Sequence, residues 1–320
     1  MKAIVHHAYG SDGVELRDVD LPVIEDHQVL LRVHASSVNP AEWYRVQGPF
    51  FARFDSGLRR PKSLWIGGDV AGRVEAVGKD VTEFQVGDDV FGTSGGAWAE
   101  YAAAREVRLV KKPANVSYEE AAAVPIAALT ALQALRDHGK VQAGQKVLIN
   151  GASGGVGTYA VQLAKSFGAE VTAVCSTRNV DQAGTLGADH VVDYTQQDFT
   201  RSGEHHDLML DVAGSRPFLD FRRVLKPKAI VVAVGAPMSA RGLGPLKHLV
   251  GSRLTSLGRS QRVVNFVAKI TKEDLAAMRE LLADGTVKSV IDRRFALEQV
   301  PDALHYLGEG HARGKVVITT

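Results

Sequence analysis

Between Lys2 and about Lys112 the chain alternates apolar and polar residues in short runs cut by Gly, Pro and Asp: KAIVHH, VELRDV, QVLLRVHASSV, DVAGRVEAVG, DDVFG, WAEYAAA and VRLVKK. A period of two puts alternate side chains on one face of an extended chain, so this stretch predicts an all-β region, a small distorted barrel. Asn39-Pro40 ends the third run, and Ala41–Val46 predicts a short helix with Pro40 in its first turn. Residues 51–65, FARFDSGLRRPKSLW, show no period and predict a surface loop whose Arg53, Arg59, Arg60 and Lys62 form a solvated face.

The period changes at Ser117. SYEEAAAVPIAALTALQALRDHG is alanine-rich and helical, interrupted by Pro125, and Ser117 with Glu120 fits a capping box. Strand and helix then alternate: KVLIN, a glycine turn and helix, EVTAVC, a helix through Gly187, HVVDY, a short helix, DLMLDV, a helix through Leu225, and AIVVAVG. Apolar strands separated by helices predict a doubly wound parallel sheet, an α/β Rossmann arrangement. Residues Met238–Ser252 are Gly-rich and ambiguous. From about Lys269 the helix EDLAAMRELLADG, the strand SVIDRRF, a second helix and the strand KVVITT follow. This tail cannot extend the sheet it has left, so it is expected to rejoin the β region. Two domains result: 1–120 with 268–320, and 121–267 inserted between.

The glycine turn KVLINGASGGVG carries the first chemistry. Residues Gly151, Ala152, Ser153, Gly154, Gly155, Val156 and Gly157 link a strand to a helix, as in a dinucleotide-binding unit. Gly154 lets the backbone approach a pyrophosphate, Gly157 lets the helix pack close to the strand, and the helix N-terminus offers N–H groups to phosphate. Ala152 stands where the usual fingerprint has its first glycine. After the second strand an NAD site places a carboxylate for the ribose 2′-hydroxyl, but here the residues are Ser176, Thr177, Arg178 and Asn179. A hydroxyl and a planar guanidinium suit a 2′-phosphate, which points to NADP(H).

Composition narrows the classes. Of the 320 residues 23% are charged, with a net charge of +2, so no field singles out nucleic acid or an anionic membrane as a partner. Cys175 is the only cysteine, which permits no intrachain disulfide and suits a reducing compartment. The residues MKAIVHHAYG lack a signal-peptide core, and no run approaches the roughly twenty apolar residues of a membrane helix. A cytoplasmic protein is the expectation. The histidines are scattered without metal-ligand spacing, so no metal site is expected.

The segments VHASSVNPAEWYRVQG, GGDVAGRVEAVGKDVTEFQVGDDVFG, AVPIAALTALQAL, INGASGGVG, LGADHVVDY and ARGKVVIT together resemble the medium-chain dehydrogenase/reductase superfamily, in its zinc-less quinone oxidoreductase and enone-reductase branch. The resemblance implies a GroES-like distorted β-barrel catalytic domain beside the Rossmann domain. Zinc-dependent relatives have a cysteine after the third strand and Gly-His-Glu before the fourth; here Asn39 and Gly67-Gly68-Asp69 stand there, so no zinc is implied. The implied reaction is hydride delivery from NADPH to a quinone or an α,β-unsaturated carbonyl.

By the same resemblance Asn39, Glu42 and Tyr44 are the catalytic residues. Asn39 would hydrogen-bond a substrate oxygen or the nicotinamide ribose, and Tyr44 would donate a proton, clamp an oxygen or simply pack. Thr130, Tyr194, Gly214, Gly235 and Lys315 join the cofactor residues, although the Thr130 hydroxyl has the alternative of bonding back to its own helix. The family has Asp where Glu42 stands and a second tyrosine where Phe50 aligns. Those departures keep open a rival reading, an NADPH-binding sensor or structural protein without turnover. The resemblance also implies a homodimer, with Arg253–Gly258 as its edge strand.

Overall fold

The computed structural model describes residues 1–49, 53, 57–234 and 260–320. The chain forms two compact units, Met1–Leu129 with Ile270–Thr320 and, inserted between those segments, Thr130–Lys269. The first boundary falls later than residue 120 because Ile126 is tied into the first unit, its N–H donating to Asp69 Oδ1 at 3.0 Å.

The first unit begins with the antiparallel hairpin β1 (Lys2–His6) and β2 (Val14–Asp18). Then come β3 (Gln28–Val38), helix α1 (Pro40–Gln47), β4 (Asp69–Val77), β5 (Asp89–Thr93), β6 (Tyr101–Arg105), β7 (Leu109–Lys111), and helices α2 (Tyr118–Ala122) and α3 (Pro125–Gln133). Ser117 and Glu120 cap α2 reciprocally: the Ser117 N–H donates to Glu120 Oε2 (2.9 Å) and the Glu120 N–H to Ser117 Oγ (3.1 Å). Strand β3 is the spine, pairing antiparallel with β4 and β6. Its pattern follows from what covers it. Val29, Leu31, Val33 and Ala35 are buried on alternate positions, whereas Ser36, Ser37 and Val38 are buried consecutively. Polar groups buried there must find partners. Ser36 Oγ donates to the Asp69 carbonyl (2.6 Å) and Ser37 Oγ to Asp69 Oδ2 (2.5 Å).

The inserted unit contains β8 (Lys146–Asn150), α4 (Gly155–Ser166), β9 (Glu170–Cys175), α5 (Val180–Thr185), β10 (His190–Asp193), β11 (His206–Asp211), β12 (Leu225–Ala233) and β13 (Arg262–Asn265). Among the described residues these six strands form one parallel sheet in the order β10-β9-β8-β11-β12-β13. Val147, Ile149, Val171, Ala173, Leu210 and Val232 are all 0% exposed, which is why the strands read as continuous apolar runs. The short β13 has no counterpart in the sequence reading. Strand order reverses at β8, and at that switch point open α/β sheets bind ligands beyond the strand carboxyl ends. Phe50, Gly235, Met238–Ser252 and the expected strand at Arg253–Gly258 lie outside the described residues.

The tail supplies α6 (Lys272–Ala283), β14 (Ile291–Ala296), α7 (Val300–Gly308) and β15 (Lys315–Thr319). It rejoins the β unit: β15 pairs antiparallel with β3 and parallel with β14. Its apolar residues complete a core in which Ile4, Val38, Val46, Trp98, Val300, Val316 and Ile318 are each 2% exposed or less. Burying each large side chain there contributes about 1.5–3 kcal/mol.

Candidate active site

In the first unit the functional side chains converge where β3, β4, α1 and β15 meet. Asn39 has the extended backbone of a helix cap, and Pro40 pre-sets the first turn of α1. The Asn39 N–H donates to Glu42 Oε2 at 2.8 Å, one half of a capping box. The Glu42 N–H goes to the backbone carbonyl of Asn39 (3.1 Å). The Asn39 side chain is engaged elsewhere: Oδ1 accepts from Lys315 Nζ at 2.5 Å, and Nδ2 donates to Asp69 Oδ2 at 2.9 Å. Lys315 Nζ also lies 3.4 Å from Asp69 Oδ2, an ion pair with both side chains at most 3% exposed.

Lys315, expected among the cofactor residues, directs its ammonium into this buried cluster. Asp69 is the hub that the sequence reading left out of the site; besides Lys315 it accepts from Ser37, Asn39 and the Ile126 N–H. Its signal was the aspartate after Gly67-Gly68. The buried cluster holds two carboxyl groups and one ammonium. Burial, and after it the charge of Asp69, push the Glu42 carboxyl up to about 7. Oε2 accepts the Asn39 N–H, and Oε1 is the other carboxyl oxygen. A Cβ on Gly68 would lie 2.8 Å from that Oε1, so the missing side chain at 68 makes room for the carboxyl. Tyr44 is partly buried against the Trp43 ring, centroids 5.0 Å apart, and desolvation raises its phenol above the ordinary value. The phenol therefore stays a neutral O–H at neutral pH.

A zinc ion does not fit this cluster. An amide and an ammonium lie where ligands would be needed, and among the described residues no group of three His, Cys, Asp or Glu side chains is placed to hold a metal.

In the inserted unit the glycine turn is built by its backbone. Gly151 has φ +86, so the left-handed conformation falls there rather than on Ala152, and alanine is tolerated in the fingerprint's first position. The Gly151 and Ala152 N–H groups both donate to the Val174 carbonyl, at 3.2 and 3.1 Å. A Cβ on Gly157 would sit 2.1 Å from the Gly151 oxygen and 2.8 Å from Ala152, so α4 closes on the turn itself and not, as the sequence had suggested, on the strand. A Cβ on Gly154 would touch only the Gly151 oxygen, at 3.6 Å. That open side, at the N-terminus of a twelve-residue helix, fits the pyrophosphate of a dinucleotide.

Two residues missed in the sequence lock the neighbouring strand ends. Asn150 Nδ2 donates to Asp211 Oδ1 (2.8 Å), and the Gly214 N–H donates to the same oxygen (3.0 Å). At the end of β9, Asn179 joins Ser153 and Ser176, donating to their hydroxyls at 3.1 and 3.0 Å. Arg178 is exposed, Tyr194 is half-exposed after β10, and Thr130 is buried in α3. A carboxylate does stand close by, on the neighbouring strand. Asp193, the register partner of Cys175 on the next strand, accepts from Thr177 Oγ1 at 2.6 Å and Thr195 Oγ1 at 2.7 Å. The Thr177 bond leads the contacts that hold it below its usual range, and both its oxygens are engaged by hydroxyls. Cys175 is buried and raised to about 11 by desolvation, which removes it as a nucleophile at neutral pH.

Comparison with known proteins agrees with this geometry. Residues 25–114 match the Alcohol dehydrogenase GroES-like domain, and residues 186–318 match a model described as Zinc-binding dehydrogenase. The chain is 35% identical to the chloroplast envelope quinone oxidoreductase homolog of Arabidopsis thaliana, over 99% of this chain and 98% of that protein. It is 32% identical to the chloroplastic NADPH-dependent alkenal/one oxidoreductase of the same plant, over 99% of this chain and 79% of that one. The quinone oxidoreductase structure from Coxiella burnetii superposes with a TM-score of 0.89 at 29% identity, covering 100% of this chain and 99% of the other.

Proposed function

The chain belongs to the zinc-less quinone oxidoreductase and enone-reductase branch of the medium-chain dehydrogenase/reductase superfamily, and from that premise we propose that it reduces a quinone or an α,β-unsaturated carbonyl with NADPH. The observation that carries the cofactor side is the glycine turn with its open face at Gly154. NADPH, when bound, supplies the hydride. Gly151–Gly157 would hold its pyrophosphate, and Ser176 and Arg178 its 2′-phosphate. Thr130, Asn179, Tyr194 and Gly214 complete the proposed cofactor set.

On the acceptor side the roles follow from donors and charges. Asn39 would hydrogen-bond an oxygen, and Tyr44 would present its neutral hydroxyl to an oxygen that gains negative charge. Glu42, its carboxyl raised to about 7, would hold a proton in part near neutral pH, the reserve from which the reduced product is neutralised. The native state we propose is a cytoplasmic homodimer without nucleic-acid partners, to be read from fractionation, light scattering and titration with single-stranded oligonucleotides. Among the described residues no helix is long and apolar enough to cross a membrane.

The decisive assay follows NADPH absorbance during addition of quinones, 2-enals, enones and enoyl thioesters. Sustained oxidation with at least one class is expected. Tight NADPH binding with no turnover on any of them would replace this reading by the sensor.

A further inference from the structure

Asn179 stands where asparagine usually caps a helix, at the start of α5, yet its side chain makes no capping hydrogen bond there. The carboxamide is turned the other way. Its Nδ2 donates to Ser153 Oγ at 3.1 Å and to Ser176 Oγ at 3.0 Å, and the residue is 4% exposed. Ser153 lies in the glycine turn after β8 and Ser176 follows β9. These strands are parallel neighbours, so the two hydroxyls meet at one end of the sheet, held a few ångströms apart by a single nitrogen.

That contact decides what the serines can offer. A hydroxyl has one proton and two lone pairs, whereas an amide nitrogen only donates. Each serine oxygen therefore gives a lone pair to Asn179 and cannot return its proton to the same nitrogen. Among the described residues neither hydroxyl proton has a protein acceptor, and neither serine is buried. Both O–H groups are consequently available to a ligand as donors. A carboxylate at this position would reverse the arrangement: it would draw both protons inward and leave lone pairs and a negative charge facing the ligand.

We propose that Asn179 is a positioning residue that makes donors of Ser153 and Ser176, and thereby serves both phosphate subsites at once, the pyrophosphate at the glycine turn and the 2′-phosphate at the end of β9. It acts through the serines and touches no phosphate itself. This rests on the NADPH reading above, and it goes further in naming what sets the polarity of the site. An anion, which only accepts, is favoured over the free ribose hydroxyl that a carboxylate holds in an NAD site.

The test is a cycle of variants read as dissociation constants, with no turnover required. NADPH and NADH are titrated by nicotinamide fluorescence into wild type, Ser153→Ala, Ser176→Ala, the double-serine variant, Asn179→Leu and the triple variant, each with native circular dichroism. Ser176→Ala should weaken NADPH and spare NADH, whereas Ser153→Ala should weaken both. Removing both hydroxyls should weaken NADPH roughly ten- to a hundredfold, and Asn179→Leu should lose a large part of that factor. In the triple variant the loss of Asn179 should add little to the loss of the serines. A residue that merely supports its turn would cost the same factor in either background. That result overturns the proposal, as does wild-type affinity in Asn179→Leu or in the double-serine variant.

If Asn179→Leu does not fold, Asn179→Asp, of nearly the same size and shape, takes its place. It should weaken NADPH more than the double-serine variant does, since it withdraws both donors and adds a charge, and unchanged affinity overturns the proposal. If the wild type holds NADH as tightly as NADPH, the 2′-phosphate reading fails, and the NADH titrations still decide the Ser153 half. A loss on Asn179→Leu that disappears once Ser153 is alanine sustains that half, and an equal loss overturns it. A wild type that binds neither cofactor refutes the reading and the proposal together.

Discussion

Glu42 is a carboxyl that stabilises the fold only while it is protonated. Its usual value of 4.5 rises to about 7 in the native state, so between those limits the folded chain binds more protons than the unfolded one. Stability then falls as pH rises through that window, because the slope follows the protons bound by the unfolded state minus those bound by the native state. The gap corresponds to roughly 3 kcal/mol, present below pH 4.5 and lost by pH 8. Glu42→Gln, which cannot ionise, should therefore raise the melting temperature at pH 8 and change it little at pH 5. Denaturation curves at both values check this, and a gain of equal size at the two would show that Glu42 does not titrate in this range. Gly68 belongs to the same local argument: Gly68→Ala must push the Glu42 carboxyl aside. A second residue-scale expectation concerns Arg178. If it binds a 2′-phosphate, Arg178→Ala should weaken NADPH roughly ten- to a hundredfold and leave NADH nearly unchanged, measured as dissociation constants at fixed ionic strength. Equal losses would make Arg178 a support of its turn.

The glycine turn separates two kinds of glycine within one element. Gly157→Ala drives a methyl to 2.1 Å from a backbone oxygen, which no side-chain adjustment relieves, so the variant should unfold the inserted unit or lower its melting temperature sharply. Gly154→Ala meets only an ordinary contact at 3.6 Å. It should fold like the wild type, by circular dichroism and calorimetry, while binding NADPH at least about tenfold more weakly, a change of some 1.4 kcal/mol. If Gly154→Ala binds normally, the phosphates do not lie over that glycine. Such elements were legible in the sequence because their backbone demands leave a local mark: the turn needs glycine at Gly151 and Gly157, and the cap of α2 needs Ser117 and Glu120. Ala152 looked like a departure only because sequence alone does not say which residue carries the positive φ. The buried cluster was only partly legible. Asn39 and Glu42 sit three apart on a helix start, but Lys315 reaches them through the β15–β3 pairing across a separation of 276 residues from Asn39, and no local period announces that contact. Asp193 escaped for a similar reason, since it arrives beside Thr177 through the parallel register of β10 and β9.

At the scale of the molecule, the first unit is assembled from two distant segments while the second is contiguous, Thr130–Lys269. Val316, Val317 and Ile318 on β15 are at most 1% exposed, and each large apolar side chain removed from such a core costs about 2–5 kcal/mol. A chain ended at Gly314 should accordingly lose the first unit's native structure, visible as lost protection in hydrogen exchange; retention of protected β3 amides would show that β15 is dispensable. The same placement of Lys315 has a bearing on how the protein is made. During synthesis Asn39 and Asp69 leave the ribosome early, and the ammonium that balances Asp69 follows 246 residues later. Until then Asp69 can keep its charge hydrated only by staying open to water. Among the described residues every strand of the inserted unit's sheet precedes Lys315 in the chain, so that sheet can close during synthesis before the first unit receives its last strand.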